Sequence, residues 1–118
     1  MMSGSVGYHA GQAAEGIVAA HYAARGCDVR ENRWRSKAGE IDLILTDGGT
    51  TVFVEVKKSR DFGSAALRVS DRQMRRIYAS AGAYLANAPA GLDSDARFDI
   101  ALVDGRGAIE IIENAYMQ

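Results

Sequence analysis

Apolar and polar residues follow two different periods along this chain, one typical of helices and the other typical of strands. An alanine-rich segment from about Ala10 to Arg25 predicts a first helix. Gly26 follows it at the position where a left-handed C-cap residue is expected. The segment from Cys27 to Trp34 predicts a short extended region.

The second predicted helix has the clearest start signal in the sequence. Ser70 and Gln73 have the spacing of a capping box, and Val69 and Met74 are placed as its hydrophobic staple. Apolar residues then recur at helical spacing as far as Leu85. The predicted core face of this helix consists of Met74, Ile77, Tyr78, Ala81, Tyr84 and Leu85.

Four segments with the composition of strands are arranged in two pairs. Glu40 to Thr46 and Thr51 to Lys58 flank two consecutive glycines, which is a strong hairpin signal. Phe98 to Val103 and Ala108 to Ile112 flank a second turn that contains glycine. The order of helix, hairpin, helix and strands predicts an α/β fold with helices covering a mixed sheet.

Length and composition indicate a soluble domain that spans residues 1–118. The chain has 118 residues, of which 47% are hydrophobic and 25% charged, and these values are ordinary for a globular protein. Its one cysteine, Cys27, excludes an internal disulfide and suits a reducing compartment. Met1 to Gly11 lacks the pattern of a secretory signal, and no apolar run is long enough for a bilayer. We therefore expect a cytoplasmic protein without a membrane partner.

Lysine and arginine are distributed unevenly, although the net charge is only −1. Twelve of the fourteen lie in segments 25–37 and 57–76, whereas residues 77–118 hold two basic and six acidic residues. A basic face on a nearly neutral molecule would suit the phosphate backbone of a nucleic acid. The alternatives are two solvated surfaces of opposite charge, or an acidic C-terminal half that docks another protein.

The hairpin turn predicts which residues of its two strands lie opposite one another. If Gly48 and Gly49 form the loop, Asp42 lies opposite Glu55, and Glu40 lies opposite Lys57. Because strand side chains alternate, one face of the hairpin should carry all four of these polar residues. The other face should be an apolar surface formed by Ile41, Leu43, Leu45, Val52, Val54 and Val56.

Two carboxylates directly opposite one another repel, and a sequence selected only for folding would avoid the pair Asp42 and Glu55. A divalent cation between them would turn that repulsion into affinity, and Mg²⁺ binds through one or two carboxylates, waters and phosphate oxygens. Lys57 could then hold the attacking water or stabilise charge on the phosphate, and Glu40 could tune that lysine. In the alternative interpretation, Glu40 and Lys57 form an ordinary surface salt bridge, or a three-residue loop shifts the register.

These residues resemble the PD-(D/E)XK nuclease signature, which is an aspartate, a hairpin and then Glu-x-Lys. The matching segments are Gly39-Glu40-Ile41-Asp42-Leu43-Ile44 and Val52-Phe53-Val54-Glu55-Val56-Lys57. More narrowly, the chain resembles the YraN-type UPF0102 family. That resemblance includes Ala14-Glu15, Asn32 and Arg33, Phe62-Gly63, the capped helix and Arg97-Phe98-Asp99.

The resemblance implies a restriction-endonuclease-like αβββαβ core, similar in outline to archaeal Holliday-junction resolvases, and a preference for DNA of unusual structure. It also implies metal ligation of Mg²⁺ or Mn²⁺ by Asp42, Glu55 and the Val56 carbonyl, with Lys57 as the catalytic lysine. In the same way, Glu15 would be an accessory acid, and Gln73 would lie near the scissile phosphate. Two-fold symmetric DNA substrates would suit a homodimer.

Basic residues near these motifs are the candidates for contacts with nucleic acid. They are Arg33, Arg35, Lys37, Lys58, Arg60, Arg72 and Arg76. Trp34 lies between two of the arginines, and either stacking on a base or anchoring the core would explain it. The leading hypothesis is a metal-dependent endonuclease. The alternative is a nucleic-acid-binding or adaptor module that keeps the fold without catalysis.

Overall fold

The computed structural model of the chain describes residues 3–66, 70–88, 91 and 94–115, which form three helices and five strands. In chain order these are α1 (Ser3–Ala23), β1 (Asp28–Arg35), β2 (Glu40–Asp47), β3 (Thr50–Lys58), α2 (Phe62–Ala66), α3 (Asp71–Leu85), β4 (Ala96–Val103) and β5 (Ile109–Ile112). All the predicted helices and strands are present, and the short helix α2 was not predicted. No helix within the described ranges is long and apolar enough to cross a membrane.

The five strands form one mixed sheet in the order β1-β2-β3-β4-β5. Only β3 and β4 are parallel, and the other neighbouring strands are antiparallel. Helices α2 and α3 connect the two parallel strands, as a crossover connection requires. The predicted α/β class is confirmed, and the order of elements is compatible with a restriction-endonuclease-like core.

The turn at Gly48 and Gly49 sets the register of the central hairpin as the sequence predicts. Asp47 lies opposite Thr50, and the pairing continues regularly to Leu43 opposite Val54. Gly48 has a φ of 61°, a left-handed conformation that glycine adopts without strain. The loop therefore has two residues, and the alternative with a three-residue loop is excluded.

Each face of the sheet is covered by a different helix, so the sheet separates two apolar clusters. The cluster on the α1 face consists of Ala14, Val18, Tyr22, Cys27, Leu43, Leu45, Val52, Val54, Ala101 and Val103. The cluster on the α3 face consists of Ile41, Ile44, Phe53, Met74, Ile77, Ala81, Leu85, Phe98, Ile100 and Leu102. The central strands are buried on both sides, as is typical where helices cover both faces.

Ile41 departs from the predicted alternation. The sequence places it with Leu43 on one face, but the structure places Ile41 in the cluster under α3 and Leu43 in the cluster under α1. The reason lies at Asp42, whose Oδ2 accepts a hydrogen bond from the Val56 backbone N–H at 2.8 Å. A side chain has thus replaced a backbone acceptor beyond the last regular pair, and strict alternation ends there.

Helix α3 begins as predicted, with Ser70 as its N-cap. The Ser70 hydroxyl accepts a hydrogen bond from the Gln73 backbone N–H at 3.2 Å. The predicted staple residue Val69 lies outside the described residues. Ser80, which was not predicted as a core residue, is fully buried and lies 3.0 Å from the Ser36 hydroxyl. This contact attaches the turn between β1 and β2 to the middle of α3.

A buried polar network attaches α1 to β4. Asp99 is 1% exposed, and its Oδ2 accepts a hydrogen bond from the Tyr22 hydroxyl at 2.7 Å. Arg97 contacts Asp99 at 3.1 Å, and the Asn114 backbone N–H donates to the same carboxylate at 3.1 Å. Burial, followed by this hydrogen bond, raises the pKa of Tyr22. The network connects the first helix, the fourth strand and the segment after β5.

Two glycines allow a test of the left-handed conformation at the end of α1. Gly26 has a φ of 89°, whereas Gly16 lies within α1, and a Cβ atom would meet no other atom within 4 Å at either site. We expect Gly26→Ala to lower the free energy of unfolding by about 1 kcal/mol, because alanine resists the left-handed conformation. We expect the matched variant Gly16→Ala to raise it by about 0.5–1 kcal/mol. Urea unfolding measures both, and equal effects of the two variants would contradict the left-handed cap.

Candidate functional site

The predicted pair of acids meets at the end of the central hairpin. Asp42 lies at the start of β2, one residue beyond the last regular pair, and Glu55 lies near the end of β3. The two carboxyl groups are within hydrogen-bond reach of each other. Glu55 is 6% exposed, so this contact between two acids is largely shielded from water.

Two donors converge on the Glu55 carboxylate. The Lys57 Nζ lies 3.0 Å from Glu55 Oε2, and the Gln73 side-chain amide donates a hydrogen bond to the same oxygen. Lys57 and Glu55 are two residues apart on one strand, so their side chains share a face. Gln73 reaches them from the first turn of α3. The strand and the helix together therefore fix the orientation of Glu55.

The surroundings of Asp42 favour its protonated form when no cation is bound. Burial, and next the negative charge of Glu55, raise the pKa of Asp42 to about 7. The hydrogen bond from the Val56 N–H and the charge of Lys57 act in the opposite direction but do not cancel this rise. An acid with this pKa, in contact with a second acid, is a destabilising feature of the kind that marks functional sites.

Glu15 lies on the α1 side of this site. Its Oε1 accepts a hydrogen bond from Arg33 Nε at 3.1 Å. Burial raises the pKa of Glu15, Arg33 lowers it, and Asp42 lies close enough for its charge to raise it. Arg33 has a φ of 52°, which is unusual for a residue with a side chain. No local pattern predicts the contact of Glu15 with Arg33, because the two residues lie on different elements.

The predicted pairing of Glu40 with Lys57 is wrong. Glu40 Oε2 instead lies 2.9 Å from Arg35 Nε on β1, and Lys57 contacts Glu55. The reason is that the regular register of β2 with β3 ends at Leu43, whereas β1 stays paired with β2 as far as Glu40. Glu40 still lines the same cleft as Asp42 and Glu55.

The cleft at the carboxyl pair has a volume of about 260 Å³. Its walls come from the start of β2, the end of β3 and the first turns of α3, and they include Gly39, Glu40, Asp42, Glu55, Gln73, Arg76 and Ile77. Arg76 is thus the predicted DNA-contacting residue that lies at the cleft. The other basic residues predicted to contact DNA are exposed, except for Arg33, which is half-buried; the exposed residues are Arg35, Lys37, Lys58, Arg60 and Arg72.

The donors at the cleft suit a hard divalent cation. Asp42 and Glu55 offer two carboxylates, and Val56, whose N–H bonds Asp42, lies beside them on β3. No group of three or more His, Cys, Asp or Glu side chains with the arrangement of a metal site occurs in the part of the chain that is described. Mg²⁺ needs fewer protein ligands than that, because it retains several waters. The contact of the half-buried Asp42 with the buried Glu55 therefore fits such an ion.

Fold and site define this chain as an α/β protein with a mixed sheet and a pair of carboxyl groups in a cleft. The model of the Uncharacterised protein family UPF0102 matches residues 14–103, and the chain belongs to this family. A UPF0102 protein from Cereibacter sphaeroides is 53% identical over 115 residues, which cover 98% of both chains. Another, from Roseobacter denitrificans, is 50% identical over 113 residues, covering 96% of this chain and 88% of the relative. The predicted family is confirmed.

Proposed function

We propose that this protein is a metal-dependent nuclease of the PD-(D/E)XK type that hydrolyses phosphodiester bonds in DNA, with branched or otherwise structured DNA as its substrate. One observation carries the proposal: the Asp42 and Glu55 carboxyls meet in a cleft, with Lys57 on Glu55. The order of helices and strands around them supports it. Structural stability does not explain this contact, because both acids are shielded and repel each other.

The ligands in this proposal are Asp42, Glu55 and the Val56 carbonyl, and the ion is Mg²⁺ or Mn²⁺. A bound ion of this kind supplies Lewis-acid stabilisation of a phosphate oxygen and lowers the pKa of a coordinated water. Gln73 and Lys57 both contact Glu55 Oε2 and so hold that carboxylate in place. Residues that orient ligands in this way commonly contribute to affinity for the ion.

Lys57 has a second role in this proposal. Its side chain is 17% exposed, so the ammonium group is held at the cleft rather than free in solvent. From there it can donate a hydrogen bond to the attacking water or to a phosphate oxygen as negative charge develops. Arg76 at the cleft wall adds a second cation for the phosphate backbone. Binding of DNA should accordingly weaken as salt concentration rises.

Cleavage assays with the full chain test the proposal. We expect Mg²⁺-dependent cleavage of branched or single-stranded DNA that stops when the metal is chelated. Glu55→Gln and Lys57→Met should each lower the cleavage rate by about 100-fold or more, because they remove a ligand and a charged donor. Rates are measured with labelled branched, single-stranded and linear duplex DNA.

The matched control is Glu110→Gln, which removes one carboxylate from the exposed side of β5 and should leave the rate unchanged. Cleavage that persists in Glu55→Gln would show that the assigned site is wrong. Salt-dependent DNA binding without cleavage in any metal would instead support the alternative, a nucleic-acid-binding or adaptor module with the nuclease fold. That result would contradict the enzyme proposal.

A further inference from the structure

A second cavity lies on the α3 face, between Trp34 and the turn end of the central hairpin. Its volume is about 480 Å³, which is within the range of small-molecule sites and larger than the cleft at Asp42. Strands β1, β2 and β3 and the end of α3 form its walls. The side chains that matter here are Arg30, Trp34, Thr46, Thr51, Tyr84 and Asn87. The proposed hydrolysis uses none of them.

Two aromatic rings form the apolar part of this cavity and are held rigidly. The rings of Trp34 and Tyr84 meet edge to face, with 5.3 Å between centroids and 88° between planes. Tyr84 also packs edge to face on Phe53, which is 1% exposed. Trp34 therefore packs against the core, which is one of the two roles that the sequence left open, and it also lines the cavity.

The remaining lining groups are polar and placed at the rim. Arg30 Nε donates a hydrogen bond to Thr46 Oγ1 at 3.3 Å, which orients a guanidinium group with further donors. Asn87, at the end of α3, contributes an amide that can donate and accept. A ligand with a flat ring, polar ring edges and a nearby negative charge would match these aromatic, amide and guanidinium groups. Nucleobases have this chemistry, and aromatic side chains bind their faces independently of sequence.

The position of the cavity relates it to the proposed cleavage site. Thr51 lines the cavity, and Glu55 is four residues further along β3. At the usual rise of a strand this separates them by about 13 Å on the same face. Phosphates in a stacked strand are about 3.4 Å apart along the axis, so the distance corresponds to about four nucleotides, or fewer if the strand is extended.

We propose that this cavity binds an unpaired nucleobase of the DNA strand whose backbone reaches the carboxyl pair. This inference rests on the proposed nuclease function, which supplies DNA as the substrate. It adds a mechanism by which the protein selects that DNA. A base inside a duplex is covered on both faces by stacking and cannot enter a cavity unless it is unstacked. The cavity would thus favour DNA with unpaired bases a few nucleotides from the cleaved bond.

The fluorescence of Trp34 tests this directly, because it is the one tryptophan of the chain. The full chain is titrated, in the presence of a metal chelator, with nucleoside monophosphates, a short single-stranded oligonucleotide and a blunt duplex. We expect saturable changes with mononucleotide and oligonucleotide, tighter binding of the oligonucleotide, and weaker binding of the duplex. Arg30→Ala and Asn87→Ala should each weaken oligonucleotide binding by about fivefold, as expected for one lost hydrogen bond.

Both of these residues are exposed, so the variants should fold, and circular dichroism verifies this. The matched control for charge is Arg25→Ala, at an exposed position beyond α1 that does not line the cavity. Equal loss of affinity in Arg25→Ala and Arg30→Ala would overturn the proposal, because it would indicate general attraction by charge. Mononucleotide binding as tight as that of the oligonucleotide would also overturn it, and would indicate a site for a free nucleotide.

The cavity proposal and the nuclease proposal can each fail while the other stands. Glu110→Gln should bind the oligonucleotide like the wild type in this assay, since Glu110 lines neither the cavity nor the cleft at the carboxyl pair. If no metal supports cleavage but Trp34 still responds and Arg30→Ala weakens binding, the base-binding cavity stands and the nuclease proposal fails. If cleavage occurs but Trp34 does not respond to any nucleic acid, the cavity proposal alone fails.

Discussion

Replacing Asp42 with asparagine should make the metal-free protein more stable at alkaline pH while abolishing the proposed metal-dependent cleavage of DNA. Asparagine has nearly the same shape, and its side-chain oxygen can still accept the hydrogen bond from Val56. Its amide can also donate to Glu55, which removes the repulsion between two acids. The same substitution removes a negatively charged ligand from the proposed metal site, so stability and activity should change in opposite directions.

The pH dependence of this effect follows from the raised pKa. Burial and the charge of Glu55 raise the pKa of Asp42 from its ordinary 3.8 to about 7 in the folded chain. Between these values the folded chain keeps a proton that the unfolded chain has released. Wild-type stability therefore falls as pH rises through this window, and the loss is complete above about pH 7. At about 1.4 kcal/mol per pKa unit, this rise sets an upper limit of about 4 kcal/mol. We expect a gain of about 2 kcal/mol for the variant at pH 8, because the asparagine amide also loses hydration at this position.

Urea unfolding at pH 4 and pH 8, with chelator and with Mg²⁺, measures this prediction. The variant and the wild type should be similar at pH 4, because this pH lies close to the ordinary Asp pKa of 3.8 and most of the loss of wild-type stability occurs at higher pH. A saturating cation should stabilise the wild type by about 2.7 kcal/mol at one hundred times its dissociation constant. The variant should gain much less. A variant that is less stable than the wild type at pH 8 without metal would refute the buried acid pair.

Asp99→Ala should cause a large loss of stability. The carboxylate is 1% exposed and accepts hydrogen bonds from Tyr22, Arg97 and the Asn114 backbone. Its removal leaves the Tyr22 hydroxyl and the Asn114 N–H without their acceptor, while the half-buried Arg97 keeps Asp47 as a partner at 3.3 Å. Each buried polar group left without a partner costs about 1–3 kcal/mol, and we expect a total loss of about 3 kcal/mol or more. Tyr22→Phe, which removes one hydroxyl, should cost about 1–2 kcal/mol.

A double-mutant cycle tests whether these residues act as one network. The loss in Tyr22→Phe combined with Asp99→Ala should be clearly smaller than the sum of the single losses, because both variants remove the same hydrogen bond. Asp28→Ala is the control, since it removes an exposed carboxylate at the start of β1. Additive losses, or a loss in Asp28→Ala as large as that in Asp99→Ala, would contradict the network. Thermal or urea unfolding supplies all four values.

The hairpin shows how far local sequence predicts geometry in this protein. Two consecutive glycines select a two-residue loop, and that loop determines the register of every regular pair up to Leu43 opposite Val54. The meeting of Asp42 with Glu55 follows from this register. The position of Ile41 does not follow from this register, because the Asp42 side chain accepts a hydrogen bond from the Val56 N–H and so interrupts the alternation. A pattern of period two cannot indicate where a side chain replaces the backbone.

The sequence did not predict side-chain contacts between residues that lie on distant elements. Glu40 was matched to Lys57 by extending the hairpin, but β1 provides Arg35 instead. Tyr22 and Asp99 are 77 positions apart, and no periodicity connects them. The position of Gln73 beside Glu55 was implied only by resemblance to a family, since its capping spacing explains the residue equally well.

By itself, the sequence determined helices α1 and α3, the strands, the register of the central hairpin and the pair of acids at its end, because each depends on contacts between residues close together in the chain. Only the tertiary structure decided which donors hold Glu55, which cation pairs with each acid, and where Trp34 meets Tyr84. These contacts join elements brought together by packing on the two faces of one sheet. Their geometry depends on how helices lie across strands, and local composition does not specify this.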